Sequence, residues 1–549
     1  MALRIPKNTL PQLFKDGYKF QQGIEEAVIR NIEATHELSE VTRTSLGPNG
    51  RNKMIVNHLE KLFVTNDAAT IIRELEVVHP AAKLLVMASQ QQESEVGDAT
   101  NFVLVFAGEL LEKAAYLLRM GLHPSEVVQG YELARDKALA ILEELTINKA
   151  ASLTDANELK KAVKSAISSK QYGYEDLLSD YVIECALNVM PKNPKDFNVD
   201  NIRVVKIMGS SVYESKVVRG MVFGREPEGS IQNVTKAKVA VFTCPLDISQ
   251  TETKGTVLIH NAQEMLNFTK DEEAQVEKIF KELADAGVKV VVTGNGIGEL
   301  ALHYLNRYNI MAVKVLSKFD LRRLCRVIGA TALARLGAPM AEEMGYCDIV
   351  ETVEIGGDRV TVFRQEELDK SRTSTIVLRG ATQNSLDDLE RAIDDGVNVI
   401  KSLTKDNRLL AGAGAAEMEL NKRLQAVADK TPGLNQHAIK KFAEALEVIP
   451  RTLCENAGLD ATEVLSRLYA AHFQEGDAGA VIGVDVENEN DGTLDAAKAE
   501  IFDSFYAKYW ATKLATDTAL TVLRVDQIIM SKPAGGPKPP KQQGNWDED

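Results

Sequence analysis

The sequence predicts a multidomain chain in which helical blocks at both ends enclose an α/β block. Three observations predict it. At 549 residues the chain exceeds what one core holds, and three domains are expected. From Leu13 to about Ile147, and again from Asn407 to Met530, apolar residues recur mostly at helical spacing. Between these blocks, from about Arg219 to Gly380, short β-branched runs alternate with helical segments, as in βαβ units.

Composition narrows the function classes. The chain is 44% hydrophobic and 26% charged, which is ordinary for a globular protein. Its net charge of −15 argues against a general nucleic-acid binder, which needs a basic face. No apolar run is long enough to span a bilayer, so no membrane partner is expected. The segment Met1–Lys7 lacks the apolar core of a signal peptide, which makes a cytoplasmic location the expectation. Cys185, Cys244, Cys325, Cys347 and Cys454 are scattered, with no C-x-x-C pair, and are expected to be small core residues.

In chain order, two short strands come first, Lys53–Val56 and Leu62–Thr65. They flank Asn57–Lys61 and read as a hairpin. A helix is expected over Ala69–Val77, another over Ala81–Gln92, and a third over Phe102–Met120, where Phe102, Val105, Phe106, Leu110, Leu117 and Leu118 form the stripe. Ser168-Ser169-Lys170 ends a further helical run. Strands Val239–Cys244, Val288–Thr293 and Ile310–Val315 alternate with helices Glu272–Leu283, Ile297–Arg307 and Asp320–Ile328. Gly294-Asn295-Gly296-Ile297-Gly298 invites a dinucleotide-binding reading, but its third glycine comes one residue early, and it is read as a turn. Ser374–Gly380 is a strand. Leu386–Leu403 is an amphipathic helix carrying Asp387, Asp388, Asp394 and Asp395. Val525–Met530 is rich in β-branched residues and reads as a terminal strand.

Three stretches suggest chemistry. In Val96-Gly97-Asp98-Ala99-Thr100-Asn101, Asp98 stands where a helix begins, with Thr100 and Asn101 in its first turn. A helix N-terminus offers unpaired N–H groups and suits a phosphate, beside which Asp98 would be a Mg²⁺ ligand. An N-cap explains the same Asp98 without any ligand. Thr44-Ser45-Leu46-Gly47-Pro48-Asn49-Gly50 is a turn whose N–H groups could face a ligand. Phe63–Thr70 is a strand that runs through Asn66-Asp67 into a helix. Other chemistries lack their patterns: there is no H-E-x-x-H, no G-x-S-x-G and no G-x-x-x-x-G-K-[ST].

Together these stretches resemble the group II chaperonins, the family of the eukaryotic cytosolic ring complex TRiC/CCT. The family's L-G-P-x-G matches Leu46–Gly50, and its N-D-G-A-T matches Asn66–Thr70 with Ala68 for glycine. Its G-D-G-T-T matches Gly97–Asn101 with Ala99 for glycine and Asn101 for threonine. Its G-G-G-A-x-E matches Gly412-Ala413-Gly414-Ala415-Ala416-Glu417, again with one glycine lost. The resemblance runs from about Pro6 to Met530.

That resemblance implies an ATP-driven protein-folding machine using Mg²⁺. Its chaperonin fold would have a helical equatorial domain (1–149 and 406–531), a small intermediate domain (150–215 and 373–405) and an α/β apical, substrate-facing domain (216–372). The apical domain would carry a lid protrusion at about 249–280. Crossings near Ala150 and Lys405 would act as hinges, and 532–549 would be a disordered tail. The implied nucleotide contacts are Leu46, Gly47, Pro48, Asp98, Ala99, Thr100, Asn101, Lys170, Gly412, Ala413 and Gly414, with Asp98 also the metal ligand. Asp67 and Asp395 are implied to orient the attacking water, with Asp394 about a quarter-turn away. The family's sugar-side carboxylate falls on Ala511. The implied partners are paralogous subunits in a hetero-oligomeric double ring, joined by the hairpin and the terminal strand, and non-native client proteins. The lost glycines leave a second expectation open, a mainly structural, client-binding subunit with slow nucleotide turnover.

Overall fold

The periodic helices of both ends close onto a single apolar core. The computed structural model describes residues 24–57, 60–149, 153–247, 262–366, 373–474, 478–488 and 491–529. The helices Ile24–Arg43, Pro80–Glu95, Thr100–Arg119 and Pro124–Glu144 pack with Ala415–Lys430, Asn435–Ala445 and Phe505–Leu523. At its centre the Phe442 ring meets Phe106 edge-on at 5.6 Å and Tyr131 at 5.7 Å. The Tyr131 hydroxyl donates to Leu110 O at 2.9 Å, so its buried polar end is satisfied. Two residues from the first half of the chain and one from the second thus form one aromatic cluster.

A second core joins helices Ala156–Ser168 and Glu175–Val189 to the long helix Gln383–Lys405. The apolar face of that helix, Leu386, Leu389, Ile393, Val397 and Ile400, points into this core. A third block is built on a parallel trio of strands, Asn233–Phe242, Val288–Thr293 and Met311–Lys314. Period-two alternation sends Val239 and Val241 to one face and Ala240 and Phe242 to the other, and helices cover both. Parallel neighbours need long crossovers, and helices Ala262–Asp285 and Glu299–Arg307 supply them.

One nine-stranded sheet runs through the second and third blocks. Lys216–Phe223 links them, pairing with Ser374–Gly380 on one side and with Asp358–Arg364 on the other. A small sheet ties the blocks to the helical core. Its strands Asn148–Lys149, Arg408–Ala411 and Phe502–Ser504 come from three distant segments.

The hairpin forms with the expected strand bounds, pairing Lys53↔Thr65 to Val56↔Leu62, and stands as a two-stranded sheet with Met54, Val56 and Leu62 exposed. Several expectations change. The helix after Asp67 is Ala68–Glu74, shorter than Ala69–Val77. Leu75 turns extended, and Pro80 holds His79 extended before the next helix. Val525–Ile529 form no strand here, so the expected terminal strand finds no partner within the described part of its own chain. Only Cys185, Cys347 and Cys454 are buried, whereas Cys244 and Cys325 are half-exposed, so the five are not all core residues. The expected lid lies partly outside the described residues, as do the crossing at Ala150, Met530 and the tail. Among the described residues no helix is long and apolar enough to cross a membrane.

Because Phe442 bridges the two halves of the helical core, Phe442→Ala is expected to cost about 3–5 kcal/mol. Equilibrium denaturation of the purified chain checks this, and a loss under about 1 kcal/mol would mean that the site collapses freely.

Candidate functional site

Four loops and two helix ends surround a cavity of about 570 Å³ between the helical core and the second block. The first loop is the Thr44–Gly50 turn. Gly47 sits at φ +81°, and a Cβ there would run into Leu453. The Asn456 side chain donates to Leu46 O at 2.8 Å and holds the turn. Asn101, where the family pattern has threonine, donates to Ser45 Oγ at 3.2 Å and links this turn to the start of the Thr100–Arg119 helix.

The second loop is Gly97-Asp98-Ala99. Here the N-cap position is Ala99, not Asp98, which corrects the reading of Asp98 as a simple cap. Asp98 Oδ1 accepts instead from Ala99 N at 2.6 Å, and Asp98 O accepts from Gln92 Nε2 at 2.9 Å. Burial pushes the Asp98 carboxyl above its usual range, although the Ala99 N–H opposes this. Among the described residues no three metal-ligating side chains gather. One half-buried carboxylate beside helix N–H groups still fits a Mg²⁺ ion that takes its other ligands from phosphates and water.

The third group joins segments far apart in sequence. Asp67 caps the Ala68–Glu74 helix, accepting from Thr70 N at 3.0 Å and Thr70 Oγ1 at 2.7 Å. Lys170, just past the Ala156–Ser168 helix, donates to Asp67 Oδ1 and lies 3.3 Å from Asp395 Oδ2. All three side chains are largely buried. Burial opposes ionisation of Asp67, but Lys170 and the Thr70 donors outweigh it and hold this carboxyl well below the usual range. Asp395 goes the other way. Burial raises it well above the usual range, Lys170 offsets that only in part, and Asp67 adds to it. Asp394 is exposed, as its helical offset from Asp395 requires.

The fourth loop is Gly412-Ala413-Gly414. Gly414, at φ +78°, opens the Ala415–Lys430 helix. Ala413 O accepts from Val484 N at 2.8 Å, which seats the Ile482–Val484 strand over the loop.

Of the candidate residues, Leu46, Gly47, Pro48, Asp98, Ala99, Thr100, Asn101, Lys170, Asp395, Ala413 and Gly414 line the cavity. Asp67 and Gly412 stand behind its wall. Ala511 does not belong to the site: it is fully buried in the helical core. The acid that faces the cavity near that last helix is Asp503, whose carboxylate lies 3.3 Å from Lys508. Lys508 also pairs with the buried Glu417. Reading from sequence misses Asp503 and Lys508. A signal is present, since Ile501-Phe502-Asp503-Ser504 repeats the pattern of a short apolar strand ending in an acid before a helix, as Thr65-Asn66-Asp67 does.

Residues 38–533 match the model of the TCP-1/cpn60 chaperonin family. The chain belongs to that family. Full-length comparison agrees: this chaperonin chain is 65% identical over 549 residues to the probable T-complex protein 1 subunit theta of Schizosaccharomyces pombe, covering all of both chains. It is 55% identical over 550 residues to the human T-complex protein 1 subunit theta and 54% identical over 568 to that of Saccharomyces cerevisiae, again over the whole of each. The segment Asp526–Met530 and the Lys532–Pro537 stretch after it already make the theta subunit the expected likeness among the subunits of TRiC/CCT.

The three lost glycines of this chaperonin chain are not equivalent. Ala99 sits at φ +62° and Ala413 at φ +55°, both left-handed, whereas Ala68 opens a helix. Left-handed backbone costs an L-residue about 1–2 kcal/mol. Ala99→Gly and Ala413→Gly are therefore each expected to stabilise the chain by about 1 kcal/mol. Ala68→Gly is expected to destabilise it by up to about 1 kcal/mol. Denaturant midpoints of the three single variants check the opposite signs.

A pH test follows from Asp395. Its folded pKa is raised, so ionising it disfavours the folded state; that penalty builds as pH rises past the unfolded value and is complete once pH has risen through the folded one. Asp395→Asn is expected to leave stability nearly unchanged at low pH and to stabilise progressively as pH rises. The gain approaches about 1.4 kcal/mol for every tenfold by which burial weakens the acid. Melting midpoints between about pH 5 and pH 9 check it, and a gain that instead shrank with rising pH would reverse the assignment.

Proposed function

We propose that this chain binds and hydrolyses ATP with Mg²⁺ and uses the cycle to close a cytoplasmic, hetero-oligomeric double ring of paralogous subunits around non-native proteins. In this reading 1–149 and 406–531 form the equatorial domain, 150–215 and 373–405 the intermediate domain, and 216–372 the apical domain with a lid at about 249–280. One observation carries the nucleotide part. Lys170 of the second block reaches Asp67 of the first and Asp395 of the long helix at the wall of one cavity. A charged triad split between two packed blocks is what a site assembled by domain closure requires.

The residues divide the work. The backbone N–H groups of Gly47, of Thr100–Asn101 and of Ala413–Gly414 are the donors for the phosphates, with Leu46, Pro48 and Ala99 shaping the wall beside them, and Asp98 would hold the metal. Mg²⁺ when bound neutralises charge on the phosphoryl oxygens. Lys170 supplies a fixed cation for the terminal phosphate. Asp395 lines the cavity, and a carboxylate with a raised pKa suits the task of orienting water and taking its proton. Asp67 is expected from the resemblance to orient water beside Asp395, but it does not line the cavity, so in this reading it acts by holding Lys170 in place.

The two left-handed alanines favour a second reading, in which the chain serves mainly as a structural, client-binding ring member with slow turnover. Each places a methyl group and local strain in a loop that faces the phosphates.

Asp395→Ala is expected to abolish hydrolysis at this subunit of an assembled ring while ATP binding stays within about two-fold. The water-orienting group acts in the transition state, and the phosphates are held by other groups. Subunit-resolved labelling by ATP through one turnover checks both arms. Loss of binding would move Asp395 into the metal shell.

A further inference from the structure

Among the described residues, one exposed pair joins two walls of the cavity, Tyr172 and Glu487. Tyr172 lies two residues beyond Lys170, on the connection between helices Ala156–Ser168 and Glu175–Val189. Its hydroxyl donates to the carboxylate of Glu487, on the loop after strand Ile482–Val484. The phenol belongs to the second block and the carboxylate to the helical core's satellite hairpin. Both side chains line the cavity, and both are exposed.

Each end of the contact is built. Asp485 Oδ1 accepts from Glu487 N at 3.0 Å and from Asn488 N at 3.3 Å, an Asx turn that fixes the Glu487 backbone. Strand Ile482–Val484 is seated on Ala413 O, so this wall is continuous with the Gly412-Ala413-Gly414 loop. On the other side Gly173, at φ +92° with open space around it, turns the chain directly after Tyr172. Gly173 N donates to Glu175 at 2.6 Å, which anchors the turn. A surface ion pair also joins the second block to the segment before the last helix, where Lys161 meets Glu500 at 3.0 Å. The carboxylate pushes the Tyr172 phenol up to about 12, so it stays a proton donor across the physiological range.

We propose that Tyr172 and Glu487 form a latch across the cavity mouth that sets how fast nucleotide leaves this subunit. It rests on the nucleotide reading above and adds a release-controlling pair to it. With the latch closed, a bound nucleotide is enclosed between the Tyr172 turn and the Glu487 loop. Departure requires the phenol–carboxylate bond to open first. A hydrogen bond to a charged acceptor is stronger than a neutral one, but exposure and salt moderate this one.

The experiment uses the assembled ring and photolabelling by radioactive 8-azido-ADP, read on this chain at timed points after a chase with unlabelled ADP. Tyr172→Phe keeps the ring and removes only the hydroxyl, and Glu487→Ala removes the acceptor. Each is expected to speed release about five-fold, and the double variant no more than either single, because one contact is lost in all three. Release unchanged in both singles, or additive in the double, would overturn the latch. If the unmodified chain takes no label in the ring, the nucleotide reading fails and the latch fails with it. Label taken with unaltered release sinks the latch alone.

Discussion

The site depends on one buried ammonium shared by two carboxylates. Lys170 meets Asp67 and Asp395 away from water. Moving such charges into the interior costs several kcal/mol each, and close pairing with good hydrogen bonds is needed to offset it. One cation cannot serve two anions equally. Asp67 has the advantage, because Thr70 donates twice to its other oxygen, and it stays ionised. Asp395 has no such donors and is left with the raised pKa. The asymmetry sets the two acids apart: one is held ionised, and the other resists ionisation.

Backbone continuity makes that triad responsive to the rest of the chain. Asp395 rides on the helix Gln383–Lys405, whose apolar face is locked into the second core. Three residues on, Asn398 packs against Gly97, where a Cβ would collide with its amide. The helix therefore touches the loop of Asp98 and the side chain of Lys170 at once. The strand Ser374–Gly380 leads into the same helix and pairs with Lys216–Phe223, the strand that continues into the third block. Main-chain hydrogen bonds thus connect the third block to the strand that leads into the element bearing Asp395.

The local signals of the sequence were the legible ones. The hairpin Lys53–Val56 with Leu62–Thr65 and the strand Ser374–Gly380 have the expected bounds, because side-chain alternation and turn residues are local properties. Sites built from loop motifs came together for the same reason. Orientation along the last helix was not legible. Phe505–Leu523 is apolar nearly all round, so no stripe marks its inward face. Ala507, Ala511, Ala515 and Ala519 follow at four-residue spacing, yet only Ala507, at the first turn, reaches the cavity. Counting along the chain therefore chose Ala511, whereas the acid that faces the cavity here stands in the strand before the helix, at Asp503. Val525–Ile529 fails differently: a β-branched run signals a strand only where an open edge is there to receive it, and none of the described sheets takes it up.

The sign of φ at the lost glycines was equally invisible, and it matters for how the site holds its shape. A left-handed alanine persists only where its neighbours over-determine it. At Ala99 the determinants are Gln92 on Asp98 O and the Asp98 carboxylate on Ala99 N. At Ala413 it is Val484 N on the carbonyl, with Gly483 passing so close that it has no room for a side chain. In both loops the bond that enforces the strain also aims a functional group, the Asp98 carboxylate in one and the Glu487 hairpin in the other. Relaxing either alanine to a right-handed conformation would swing the neighbouring N–H groups out of the cavity wall. The strain and the aim of the two loops are therefore the same feature, and glycine there would relieve the first while loosening the second.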